Sequence, residues 1–236
     1  MSIRQVGRAS GMGVASRALV GCAAVLLLGA LGVSRAHAED DEGDHHRDPR
    51  VERGLQISPV PLNLAGKNRR LVGLGSYIVN AVSECNGCHS AGPRTQFDMG
   101  GNPYFKGNQP IDINQATYLG GGRSFGSLIQ GTPEIVSRNL TPDRTGRPEG
   151  GRTFAEFLYI FRTGTDLDHL HPNCSTTVTT NCFPAAQPFN GDLLQIMPWP
   201  FYKDMTEVDI RAIYEYLSAI PCVSGPPSGN LHNDCT

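Results

Sequence analysis

The sequence predicts a mainly α, single-domain protein, on three observations. Three stretches place apolar residues at helical spacing behind capping residues; Gly and Pro interrupt every periodic run between them; and one core's worth of chain remains once an N-terminal leader is set aside.

The leader spans residues 1–38. Arg4, Arg8 and Arg17 give a positive start, Ala18 to Val33 is an apolar run, and Ala36-His37-Ala38 offers a small-x-small cleavage site. That run is shorter than the ~20 residues of a comfortable membrane span. The leader contains no Arg-Arg pair, so a Sec-type signal peptide and a periplasmic destination are expected. Leu19-Val20-Gly21-Cys22 resembles a lipoprotein box, yet most of the apolar run follows Cys22. A membrane anchor is therefore not expected unless the signal is retained or Cys22 is lipidated. Cleavage removes four Arg and no acid, taking the formal charge from −2 to −6. A mildly acidic chain argues against nucleic acid as a partner.

Residues 39–68 read as a lead-in. The charged part, 39–54 with His45-His46, is expected to be a disordered, solvated tail, and Leu55 to Leu64, with Pro59 and Pro61, an extended segment. The domain proper is expected over 69–236. A first helix is predicted from Asn68 to Ser83, with Leu71, Leu74, Ile78 and Val82 on one stripe. Gly75 inside it costs ~1 kcal/mol against Ala, tolerable where another helix crosses closely. Residues 90–135 read as loop, and Gly120-Gly121-Gly122 as a plain breaker rather than a phosphate cradle.

A second helix is predicted from Thr153 to Arg162. Thr153 and Glu156 form a capping box, Phe154, Phe157, Leu158 and Phe161 one face, and Gly164 the stop. Residues 165–192 are irregular. The last helix starts at its cap Thr206, with Asp209 at the third helical position and Ile210, Ile213, Tyr214 and Leu217 as its stripe, and ends before Pro221.

Chemistry concentrates in Cys85-Asn86-Gly87-Cys88-His89, which the first helix delivers. Two thiols three positions apart can each add to a haem vinyl group, and the adjacent imidazole reaches the iron from the same face. A thioredoxin-like pair would need a preceding strand, which is absent from the pattern. A zinc site would need a second ligand pair, and His169, His171, Cys174 and Cys182 lack a common zinc-finger spacing. One covalent haem c is expected, since the motif occurs once. His89 should donate its other ring N–H to a backbone carbonyl, supplied by the loop near Pro93 or that near Pro103.

Four cysteines remain besides Cys22 and the haem pair, an even number that suggests two disulfides outside the cytoplasm. Cys174–Cys182 with Cys222–Cys235 is favoured because both close short loops. A six-coordinate iron needs a ligand opposite His89, and Met99, Met197 and Met205 are the methionines left. Met197, in Ile196-Met197-Pro198-Trp199-Pro200, sits in a stiff proline-flanked loop that could hold a thioether against a ring face. Met205 more naturally packs. Tyr77, Trp199 and Tyr202 are candidates to line the haem, and Arg123 or Arg138 to meet its carboxylates.

N-terminal helix, Cys-x-x-Cys-His, middle helix, Met-Pro loop and terminal helix, in that order, resemble a class I c-type cytochrome. Cys85, Cys88, His89 and Met197 match its thioether and axial positions, and Gly75 and Tyr77 set against Tyr216-Leu217 are similar to its crossing of first and last helices. Asn139-Leu-Thr-Pro-Asp143, then Thr153 to Gly164, then Met197-Pro-Trp, look like bacterial monohaem cytochromes and haem subunits of periplasmic dehydrogenases. The resemblance implies a helical fold around one haem, with longer loops than the small members carry. It also implies a non-enzymatic role: single-electron transfer between a donor and an acceptor protein, as a free carrier or as a dehydrogenase subunit. A five-coordinate haem enzyme or gas sensor is the rival.

Overall fold

Asp48 opens the first helix of the computed structural model, which describes residues 48–91, 93–105, 107, 110–126, 134–167, 192–225 and 233–236. Its carboxylate accepts from the Arg50 backbone N–H at 3.0 Å and Pro49 fills the first turn, so α1 (Pro49–Ile57) begins with a satisfied cap. Residues 49–57 of the expected lead-in over 39–68 are therefore helical rather than disordered or extended. Glu52 and Arg53 are exposed, whereas Val51 and Gly54 are buried and Leu55 packs against the core. Average charge hid a one-sided apolar stripe, and the packed unit begins well before residue 69.

Asn68 caps α2 (Arg69–Tyr77), its side-chain oxygen accepting from Arg70 and Leu71 N–H at 3.0 and 3.2 Å. The helix continues as one wide π turn, Ile78–Val82, closed by Ser83 N–H donating to Ile78 O at 2.8 Å. The wider turn shifts the register, so Leu74 and Ile78 are buried as expected but Val82 is 64% exposed. α2 packs on α1 and on α7 (Glu207–Leu217). A Cβ at Gly75 would overlap the Ala212 carbonyl and lie 2.8 Å from Tyr216 Cβ, which is the close crossing the sequence required. Beside it, Tyr118 Oη donates to Asn80 Oδ1 at 2.5 Å and lies 2.8 Å from Tyr216 Oη, ties that satisfy buried hydroxyls.

α3 (Cys85–Cys88) and α4 (Pro93–Gln96) are single turns. α5 (Phe154–Thr163) has the expected capping box, with Gly164 at φ +71° ending it. α6 (Trp199–Tyr202) is a helical turn where a stiff loop was read. Thr206 caps α7, and that helix stops at Leu217, four residues short of Pro221. Pairing between extended segments is confined, among the described residues, to isolated bridges such as Ser90 with Gly121 and Thr165 with Leu193. The protein is mainly α. No described helix is long and apolar enough to cross a membrane.

The C-terminal tail is pinned. Cys222 and Cys235 form a disulfide. Buried Asn233 donates to Thr141 O at 2.8 Å and Thr141 Oγ1 at 3.0 Å, and Asn139 Nδ2 donates to Val223 O at 2.7 Å. The Asn139–Asp143 stretch is thus a polar hub joining a central loop to the tail. Residues 1–47, with Cys22 and His45-His46, and the expected Cys174–Cys182 bridge lie outside the described residues.

Candidate functional site

Glu84 turns the chain at φ +46°, a left-handed conformation uncommon for a non-glycine residue, and α3 follows at once. Cys85 is partly buried, Cys88 is exposed, and both thiols are free. Burial pushes the Cys85 thiol up to about 12, the opposite of the lowered value that arms a redox-active nucleophile. The two residues between the cysteines are tied as well. Asn86 Oδ1 accepts from Leu119 N–H at 2.9 Å, and the Gly87 carbonyl accepts from Arg123 Nη1.

His89 Nδ1 lies 2.8 Å from the Arg138 carbonyl. A carbonyl only accepts, so Nδ1 carries the proton. Burial lowers the imidazole to about 4, which keeps the ring neutral at pH 7. Nε2 therefore bears the lone pair, the form that ligates a metal. The acceptor comes from neither loop expected to provide it, since Arg138 is remote in sequence from both Pro93 and Pro103. Gly121 explains the placement. At φ +71°, a Cβ there would lie 2.5 Å from Arg138 C and O, so only glycine lets that peptide come so close. Its N–H donates to His89 O at 2.7 Å, and its carbonyl accepts from Ala91 N–H at 2.9 Å. The middle of the glycine triplet is a junction for His89, not a plain breaker.

Cys85, Cys88, His89 and Met197 all line one cavity of about 530 Å³, a volume within the ~300–1,000 Å³ of small-molecule and cofactor sites. Phe157, Ile160 and Phe161 of α5 and Ile213 and Leu217 of α7 supply apolar lining, and residues 134–138 and 193–198 form loop walls. Met205 shares the cavity, and its carbonyl accepts from Arg162 at 2.7 Å. Met99 is fully exposed and outside it. Ile196 holds φ +70° immediately before Met197, whose own N–H donates to Gln195 O at 2.7 Å.

Of the aromatic candidates, Tyr202 lines the cavity and Tyr77 and Trp199 do not. Trp199 Nε1 donates to Leu194 O at 3.2 Å, and its indole lies over Gly164. Neither candidate arginine is a solvated loop residue. Arg123 holds Gly87 and lies 5.1 Å from the Phe125 ring centre, and Arg138 forms an ion pair with Asp166 in which both side chains are largely buried.

Glu149 escaped the sequence reading altogether. It is 9% exposed, lines the cavity, and sits at φ +51° in the Pro148–Gly151 turn. Burial, helped by Asp166 and opposed by Arg152, raises its carboxyl to about 7. Pro148-Glu149-Gly150-Gly151 reads as an ordinary turn, and nothing in it signals a side chain directed inward. Among the described residues no three His, Cys, Asp or Glu converge as a metal-holding group. No protein-family model, curated protein or solved structure matches this chain.

Proposed function

We propose that this chain carries single electrons between a donor and an acceptor protein outside the cytoplasm, through one covalently bound haem in a class I cytochrome c-like fold. One observation carries the reading: Cys85, Cys88 and His89 share a single apolar cavity with Met197, a residue more than a hundred positions away. The donor set fits that group. Two free thiols sit a helical turn apart at the cavity, and a neutral imidazole is held in the tautomer that ligates through Nε2.

Bound there, the haem supplies a one-electron Fe(III)/Fe(II) couple. The remaining work falls to the chain. Cys85 and Cys88 would tether the group through thioether links, each thiol adding across a vinyl double bond. The Arg138 carbonyl orients His89 by accepting a hydrogen bond from its Nδ1–H, and Gly121 seats its backbone by donating to His89 O. Met197 provides a thioether, whose preference for ferrous iron raises the potential. The α5 and α7 side chains exclude water and lower the local dielectric. With His89 and Met197 both holding the iron, no position would be left there for a substrate, which favours a carrier over an enzyme.

The test is protein matured with a haem-attachment system. A covalent c-type spectrum, resistant to acidic organic extraction, is expected in the native chain and absent from the Cys85→Ala/Cys88→Ala double variant. Met197→Ala should lose the weak red sulfur-to-iron charge-transfer band, lower the potential and open the iron to carbon monoxide; Met205→Ala should keep the band. Covalent haem in the double cysteine variant ends the proposal. Loss of the band only on changing Met205 reassigns the ligand. A native protein that binds carbon monoxide freely is a sensor or enzyme instead.

A further inference from the structure

Glu149 is a buried carboxyl with no hydrogen bond of its own among the described residues, on the wall of an otherwise largely apolar cavity. Taking a carboxyl largely out of water costs free energy, and burial is the first cause of its raised value. Here the backbone is also held left-handed to put it there, at φ +51° for Glu149 and +69° for Gly150. For a glutamate that conformation is a further cost. Two independent expenses are thus met to keep one carboxyl facing the cavity.

The charges around it come from three segments. Arg152 follows on its own turn and favours the ionised form. Asp166, from the loop after α5, opposes ionisation and is itself paired with Arg138 of the central loop. Glu84, Glu134 and His89 line the same cavity further off, and none of them is among the groups acting on Glu149. Asp166 is held by an arginine and His89 by a carbonyl. Among these cavity groups, Glu149 is the one whose proton is held by burial rather than by a partner.

Building on the electron-carrier reading, we infer that Glu149 is a proton-binding site coupled to the electron: it takes a proton from solvent when the haem is reduced and returns it on oxidation. The balance is Fe(III) + Glu149–COO⁻ + e⁻ + H⁺ → Fe(II) + Glu149–COOH, the electron arriving from the donor protein. Reduction removes one positive charge from the cavity, so the carboxylate loses attraction and holds its proton more tightly. At an effective dielectric of about 20 and a separation on the order of 10 Å, one charge moves a carboxyl by roughly one pKa unit. The ordinary value is already displaced to about 7, so the coupled window spans neutral pH.

The experiment compares haem-loaded native protein with Glu149→Gln and Glu149→Asp. Midpoint potentials are measured from pH 5 to 9, with redox-difference infrared spectra in H₂O and D₂O. The native potential should fall as pH rises through the window. Reduction should produce a protonated-carboxyl stretch that shifts in D₂O. Glu149→Gln should lose that band and the associated slope while keeping its haem spectrum, and Glu149→Asp should keep both at a displaced pH. An unchanged slope and band in Glu149→Gln, or no carboxyl band in native protein, overturns the inference and leaves the carrier reading intact. Native protein without covalent haem overturns the carrier reading itself.

Discussion

The crossing of α2 and α7, which carries the cavity-lining Ile213 and Leu217 of α7, and the loop wall of residues 119–126, 134–140 and 193–198 are held by different forces. Where the helices cross, backbone meets backbone: Gly75 abuts the Ala212 carbonyl, with Val72, Ile210 and Tyr216 fully buried around it. The loop wall has one such backbone contact, Gly121 against Arg138, with Leu119 buried beside it. It is fixed by polar pins, among them Gly121 to His89, Leu119 to Asn86 and Leu140 to Leu119 through single hydrogen bonds, and Arg138 to Asp166 through an ion pair. The helical side should therefore fail by overlap, and the loop side by losing partners.

The largest effect is expected where backbones touch. Gly75→Val drives a branched side chain into the Ala212 carbonyl and should destabilise by about 3 kcal/mol or more, read from guanidinium unfolding. A loss below ~1 kcal/mol would mean the helices can part, and the contrast between the regions would collapse. Next comes the tail that backs the loop wall. Cys222→Ser/Cys235→Ser opens a bridge of sequence separation 13 and should cost about 3 kcal/mol on the chain-entropy model. Hydrogen exchange at Thr141 and Val223 should rise with it while exchange in α2 stays slow. Equal acceleration in both would show that the two regions open together.

The third prediction sharpens the comparison through pH. The Glu149 carboxyl stands near 7 when folded against an ordinary 4.5. Between those values the unfolded chain gives up its proton first, so the native state binds more protons and stability falls as pH rises. Glu149→Gln cannot ionise. It should match native stability below about pH 4.5 and exceed it above pH 7, by at most ~3 kcal/mol. Thermal melts at pH 4 and pH 8 decide this, and equal differences at both would place the carboxyl in solvent.

What the sequence made legible divides along the same line. Helix periodicity, the Thr153–Glu156 box and the Thr206 cap placed the starts of α2, α5 and α7 almost to the residue, because those signals are local. The Cys-x-x-Cys-His cluster and Met197 were equally visible as chemistry. α1 was missed because charge on its outer face masked the inner stripe. The Arg138 acceptor, the Gly121 contact and the inward Glu149 were invisible for another reason: each depends on a backbone carbonyl or torsion, which no residue type encodes. Val82 left the expected stripe through a π turn, a register shift that average periodicity does not reveal.

The cysteines among the described residues are kept in opposite states. Cys222 and Cys235 are joined, while Cys85 and Cys88, a single turn apart, are not. An oxidant able to close the first pair can also close the second, and a reductant that protects the second can open the first. The order of events during biogenesis then decides the product. If the 85–88 thiols react with the proposed haem before oxidant reaches them, both pairs end correctly. If they are caught first, the chain is stranded until a selective reductant frees them.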